Sequence, residues 1–70
     1  MITEMEIDNR FTYHAPKDDQ PERYHRLREE FRELAHFVVE NTPDCREQAL
    51  AITNLEQAVF WANAAIARNE

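Results

Sequence analysis

Apolar and polar positions recur along this chain with the period of an α-helix over two long stretches. In DQPERYHRLREEFRELAHFVVEN, Tyr24, Leu27, Phe31, Leu34 and Val38 follow one another at steps of three and four, while Arg26, Glu29, Glu30 and Glu33 fall largely between them. That spacing predicts a helix with one face built to be buried. From TPD at 42 to 44 a second helix is predicted to run to about Asn69. Cys45, Ala49, Ile52, Leu55, Val59, Ala62 and Ile66 trace one stripe along it, and Leu50, Ala58, Trp61 and Ala65 trace another beside the first. The second helix therefore carries more apolar surface than one partner helix can cover.

Helix-start signals sit where the prolines lead one to look. Thr3 and Glu6 have the spacing of a capping box, which predicts a short helix from about Glu4 to Asp8. FTYHAPKDD reads as an extended connector, because Ala15 precedes Pro16 and is steered away from helical angles. Asp19 and Glu22 form a second capping box around Pro21, and Thr42 is placed to cap a helix with Pro43 at its first position. So few residues lie between the long helices that they are expected to fold back as an antiparallel hairpin. The predicted fold is all-α: one domain over residues 1–70, with a short leading helix and a two-helix hairpin.

Size changes that picture. A chain of 70 residues buries a modest core, and two helices bury a single seam. Self-association is the expected remedy, with the small residues of ANAAIA at close contacts between chains and Trp61 in a buried one. The chain has no internal repeat and no low-complexity tract.

Composition removes several classes of function. Without glycine, the chain has no glycine-built phosphate loop. Cys45 is the single cysteine, so neither an intramolecular disulfide nor a zinc site of paired cysteines is available, and it reads as a small buried apolar residue in a reducing compartment. No apolar run reaches the length of a membrane span, and MITEMEIDNR is too acidic for a signal peptide; a soluble, intracellular protein is expected. The formal charge of −6 argues against coating DNA or RNA. Its distribution is more informative: Arg10, Lys17, Arg23, Arg26, Arg28 and Arg32 all lie between positions 10 and 32. A local cationic site on an acidic body suits a compact anion.

Candidate chemistry narrows further. His25 and His36 are about 16 Å apart along a helix axis, too far to share a metal within one chain. Glu29, Glu30 and Glu33 read as a solvated helix face, and no nucleophile, base and oxyanion site assembles. No cofactor is implied and no enzyme is expected. Ligand binding survives best. Arg10, Tyr13 and His14 lie close together in NRFTYHAP, and Tyr24 and Arg28 are neighbours one turn apart on the following helix. Aromatic faces stack nucleobases and arginine clamps phosphate. Arg28 stands out because it has no carboxylate three or four positions away, whereas Arg32 has Glu29.

NRFTYHAP, DQPERYHRLREEFRELA and TPDCREQALAITNLEQAVFWANAAIARNE together resemble the hairpin domain of phage anti-CBASS sponges, proteins that sequester cyclic-oligonucleotide immune signals; anti-Thoeris sponges share it. The resemblance runs from about Asn9 to Glu70. It implies a helical homo-oligomer, typically a hexamer, that encloses cyclic dinucleotides between protomers without cleaving them, in the cytoplasm of the infected bacterium. Some relatives also hold cyclic trinucleotides around three-fold axes. Carried over by residue, Tyr13 is the base-stacking aromatic and Arg28 stands where the family places a basic residue for phosphate. Asn9, Arg10 and His14 neighbour the pocket, and Arg68 is placed to reach a phosphate or a neighbouring chain. The rival reading is a helical protein-interaction module, whose second apolar stripe binds a helix of a host regulator.

Overall fold

A computed structural model describes the whole chain, Met1–Glu70, as three helices and no strand: α1 (Glu4–Phe11), α2 (Gln20–Asn41) and α3 (Arg46–Asn69). The capping box at Thr3 forms as its spacing predicts. The Thr3 hydroxyl accepts from the Glu6 amide at 3.1 Å, and the Glu6 carboxylate accepts from the Thr3 amide at 2.9 Å. Helix α1 runs three residues past the expected end at Asp8, so Asn9 and Arg10 belong to its last turn. No proline stands in the way before Pro16, and Arg10 there faces the negative end of the helix dipole.

The connector between α1 and α2 turns at Asp18, whose φ of 53° lies in the left-handed region. In a chain without glycine, aspartate is among the residues that tolerate that region best. The expected capping box at Asp19 does not form: its side chain makes no cap hydrogen bond, and its carboxylate lies 3.3 Å from Arg23 Nε in an ion pair. Pro21 does occupy the first turn of α2, where no amide donor is needed.

Thr42 and Pro43 do not begin α3. The Thr42 hydroxyl is engaged at the end of α2, donating to the Val38 carbonyl at 2.7 Å, while Gln48 Nε2 donates to that hydroxyl at 3.0 Å and to the Thr42 carbonyl at 3.1 Å. With Thr42 so used, Pro43 lies in the connection and α3 starts after Cys45. Cys45 is exposed, contrary to the buried position its residue type suggests. It occupies the N-cap position of α3, just ahead of the helix whose apolar stripe its spacing would have it join.

Helices α2 and α3 pack side by side. The start of α2 meets the end of α3 where both terminal nitrogens of Arg23 reach the Glu70 carboxylate, and the end of α2 meets the start of α3 where Gln48 Nε2 donates to the Val39 carbonyl. Along the seam Tyr24, Leu27, Phe31 and Val38 face Ile52, Leu55, Val59, Ala62 and Ile66, all half-buried. No apolar side chain is fully buried. Leu50 and Trp61 of the second stripe are exposed, as are Phe37 and Phe60. The shape is a plate of 44 × 32 × 13 Å.

Candidate ligand site

The end of the plate where α1, the connector and α3 meet holds an open cavity of about 450 Å³. One wall is the arm formed by the last turn of α1 and the connector, with Arg10, Thr12, Tyr13, His14 and Pro16; the other is α3, with Asn63, Ala64, Ala67 and Arg68, and α2 contributes Tyr24. The sequence places them there for identifiable reasons. Pro16 keeps the arm extended, and the alanines of ANAAIA keep α3 narrow enough for the arm to lie across it.

One hydrogen bond ties the arm to α3 and a second folds the arm on itself. Asn9 Nδ2 donates to the main-chain carbonyl of Arg68 at 3.1 Å, and His14 Nε2 donates to the main-chain carbonyl of Asn9 at 2.8 Å. A carbonyl only accepts, so His14 carries its proton on Nε2 here. Asn9 thus serves as a bridge behind the cavity and is not part of its lining. Between these anchors the Tyr13 ring is 82% exposed, a free face for stacking.

The cavity's electrostatics differ from those of the chain. The protein has a formal charge of −6, yet no aspartate or glutamate lines this cavity, while Arg10 and Arg68 both do. Neither arginine is in an ion pair; the pairs in the molecule are those of Arg23 with Asp19 and Glu70 and of Arg32 with Glu29 at 3.9 Å. Two uncompensated guanidiniums beside an exposed phenol ring and a histidine suit an anion that also presents a flat aromatic face.

Arg28 is not brought to this cavity. It lines a separate, largely apolar groove on the α2–α3 face with Phe31, Arg32, Ile52, Leu55 and Val59. One turn earlier on α2, Tyr24 faces the cavity instead. Tyr24 is half-buried, so it serves both the seam and the cavity, as its place on the apolar face and among the candidate ligand groups suggests. Asn63 is a lining residue the sequence reading misses. Its Oδ1 is shielded from solvent and has no hydrogen-bond partner, and the available signal was an asparagine among alanines on an otherwise apolar helix face. A second groove, formed by Gln57, Phe60 and Trp61, shares Ala64 and Arg68 with the cavity, so Arg68 stands between the two.

Beside the cavity, the strongest ionic contact joins Arg23 to Glu70. The hydrogen bonds from Arg23, and secondarily one from Gln20, hold the Glu70 carboxyl below the usual carboxylate range; in return Glu70 raises the Arg23 guanidinium above its ordinary value. No three His, Cys, Asp or Glu side chains gather into a group of metal-binding geometry, and no helix is long and apolar enough to cross a membrane.

Comparison with known proteins adds a family. Residues 3–67 match the model of the family described as Acb2/Tad1, hairpin domain. No curated protein and no solved structure matches the chain. The match spans α1, α2 and all but the last two residues of α3, and takes in the cavity lining except Arg68. This chain belongs to the Acb2/Tad1 hairpin-domain family, that of the anti-CBASS and anti-Thoeris sponge proteins, whose function is sponge-like defence antagonism.

Proposed function

We propose that this protein binds cyclic dinucleotide immune signals intact in the cavity between the arm and α3, and so antagonises bacterial CBASS defence in the cytoplasm of the infected cell. The observation that carries this reading is the cavity lined by Arg10, Tyr13, His14 and Arg68 and by no carboxylate, on a chain of formal charge −6. Tyr13 stacks on a base, Arg10 and Arg68 take phosphate oxygens, and His14 contributes at the edge. Binding leaves the ligand uncleaved, since this constellation positions no nucleophile against a phosphate. By family resemblance, a cyclic trinucleotide would be held at a separate site, around a three-fold axis of the assembly.

The functional unit in this reading is a homo-oligomer of antiparallel hairpins, a hexamer by family resemblance. The surface supports it: the chain exposes 5938 Å², against about 4,600 Å² for a compact monomer of its mass. Its radius of gyration is 15.3 Å, against about 11 Å for a compact 70-residue fold. Arg28 reaches a phosphate in this arrangement only from a neighbouring protomer.

The test is to mix purified protein with 3′,3′-linked cyclic dinucleotides, remove free ligand, denature by heat and identify what is released. Intact ligand is expected. Cleaved product would make the protein an enzyme. An empty protein would favour the second reading, a helical interaction module, for which Phe60 and Trp61, 60% and 67% exposed, supply the surface.

A further inference from the structure

Gln20 is the one side chain of this molecule shielded from solvent, at 4% exposure, and it is polar. A buried carboxamide is tolerated when its donor and acceptor ends are both engaged. Both are engaged here, with two different parts of the chain. Oε1 accepts from the main-chain amide of Lys17 at 3.1 Å, and Nε2 donates to Glu70 Oε1 at 3.3 Å. The Gln20 amide also donates to the Lys17 carbonyl at 2.9 Å, so Lys17 is tied to this residue twice.

The two partners flank opposite walls of the ligand cavity without lining it. Lys17 directly follows Pro16, the last arm residue in the lining, and Glu70 lies two positions beyond Arg68. The arm is thus a strap fastened at both ends. Asn9 fastens it to α3 at one end, with His14 bonded back to the Asn9 carbonyl inside the arm, and Gln20 fastens it to Glu70 at the other, with Arg23 holding the Glu70 carboxylate from the far side. No fully buried apolar side chain adds to that fastening.

We infer that Gln20 is a positioning residue for the ligand cavity: its carboxamide sets the distance between the arm and the end of α3, so that the Tyr13 ring and the Arg68 guanidinium meet the same ligand. Gln20 does not line the cavity and acts only through the two walls. The spacing role stands on the geometry alone; its effect on affinity rests on the function proposed above.

An exchange of the two side chains tests it. Gln20→Glu places a second carboxylate against Glu70 and removes the donor between them. The new carboxylate still accepts from the Lys17 amide, and combining the change with Glu70→Gln restores a donor between positions 20 and 70. Two quantities are read in parallel: hydrogen exchange at the Lys17 amide in ligand-free protein, and affinity for 3′,3′-cyclic GMP–AMP by calorimetry. Gln20→Glu is expected to weaken affinity about tenfold and the double variant to recover to within about threefold, the scale of one hydrogen bond to a charged group, while Lys17 exchange is expected to speed in Gln20→Met, which removes the acceptor. Gln20→Met keeps the volume and removes both bonds, which covers the case in which Gln20→Glu does not fold.

A merely structural role is separated by a cycle with Tyr13→Ala. If Gln20 acts by placing Tyr13, Gln20→Met costs affinity in the wild-type background and little in the Tyr13→Ala background; losses that add independently would overturn the inference. Unchanged Lys17 exchange in Gln20→Met would overturn it as well, even with ligand retained. Altered exchange in a protein that never retains a cyclic dinucleotide would uphold the spacing role and remove the proposed function instead.

Discussion

The side chain of Asn9 donates to the main-chain carbonyl of Arg68, joining the last turn of α1 to the last turn of α3 across 59 positions of sequence. The carbonyls at a helix end lack intrahelical partners, so this bond satisfies an acceptor and anchors the arm at once. Removing it in Asn9→Ala is expected to cost about 1 kcal/mol of stability and to weaken cyclic dinucleotide binding with Tyr13 itself intact. Thermal unfolding and calorimetric titration of the same variant measure the two effects.

Tyr13→Ala removes the exposed ring of the arm. It is expected to weaken binding of 3′,3′-linked cyclic dinucleotides by about 1 to 3 kcal/mol, the range for one base–aromatic stack, while leaving the mass of the assembly unchanged in solution. Unchanged affinity would remove Tyr13 from the site.

Arg10→Ala and Arg68→Ala each withdraw one unpaired guanidinium from a cavity without carboxylates. Each is expected to weaken dinucleotide binding by roughly 1.5 to 3 kcal/mol, and wild-type affinity is expected to fall as salt rises, since both cations are open to solvent ions. Titrations at two ionic strengths check this, and a salt-independent affinity would mean that phosphate is not held there.

Trp61→Asp tests the assembly. The ring is 67% exposed on a single chain, on the apolar stripe that α2 leaves uncovered. A charge introduced into a contact between protomers is expected to lower the mass measured by light scattering. An unchanged mass would place the contact elsewhere.

The Glu70 carboxyl titrates below its ordinary value because Arg23 and Gln20 donate to it. A carboxylate with a lowered folded-state value contributes stability that is fully present above its unfolded value and lost as pH falls through the folded one. The melting temperature of wild type is therefore expected to exceed that of Glu70→Gln near neutrality, with the gap closing as pH falls below the unperturbed value of 4.5. A gap that persists in acid would assign the difference to packing.

The two long helices are legible in the periodicity of Tyr24, Leu27, Phe31 and Val38 and of Ile52, Leu55, Val59 and Ile66, because burial of one face leaves that imprint whatever the details of packing. Helix starts were less legible. Thr3 caps as its spacing suggests, but Asp19 has an arginine four residues on and Thr42 has Gln48 within reach, and each gives its side chain to the competing partner. The site divides in the same way. Arg10, Tyr13 and His14 are local in sequence and their convergence could be read directly. Arg68, Asn63 and Tyr24 come to the cavity only through the way α2, α3 and the arm cross, which periodicity does not encode. Arg28 shows the limit: its lack of an intrahelical acid is read correctly, and within one chain it still faces another groove.

Asp18 gives the molecule a different kind of constraint. A chain without glycine has a narrower unfolded ensemble and less backbone freedom to surrender on folding. That economy leaves a single residue to reverse the chain's handedness, at φ 53°, just before α2. Valine or isoleucine at this position would clash in the folded turn. Glycine would ease the turn but widen the unfolded ensemble. The arm's path is therefore bounded by a narrow choice at position 18, and the protein's room to evolve new ligand preferences lies in the side chains along the arm, not in the route the arm takes.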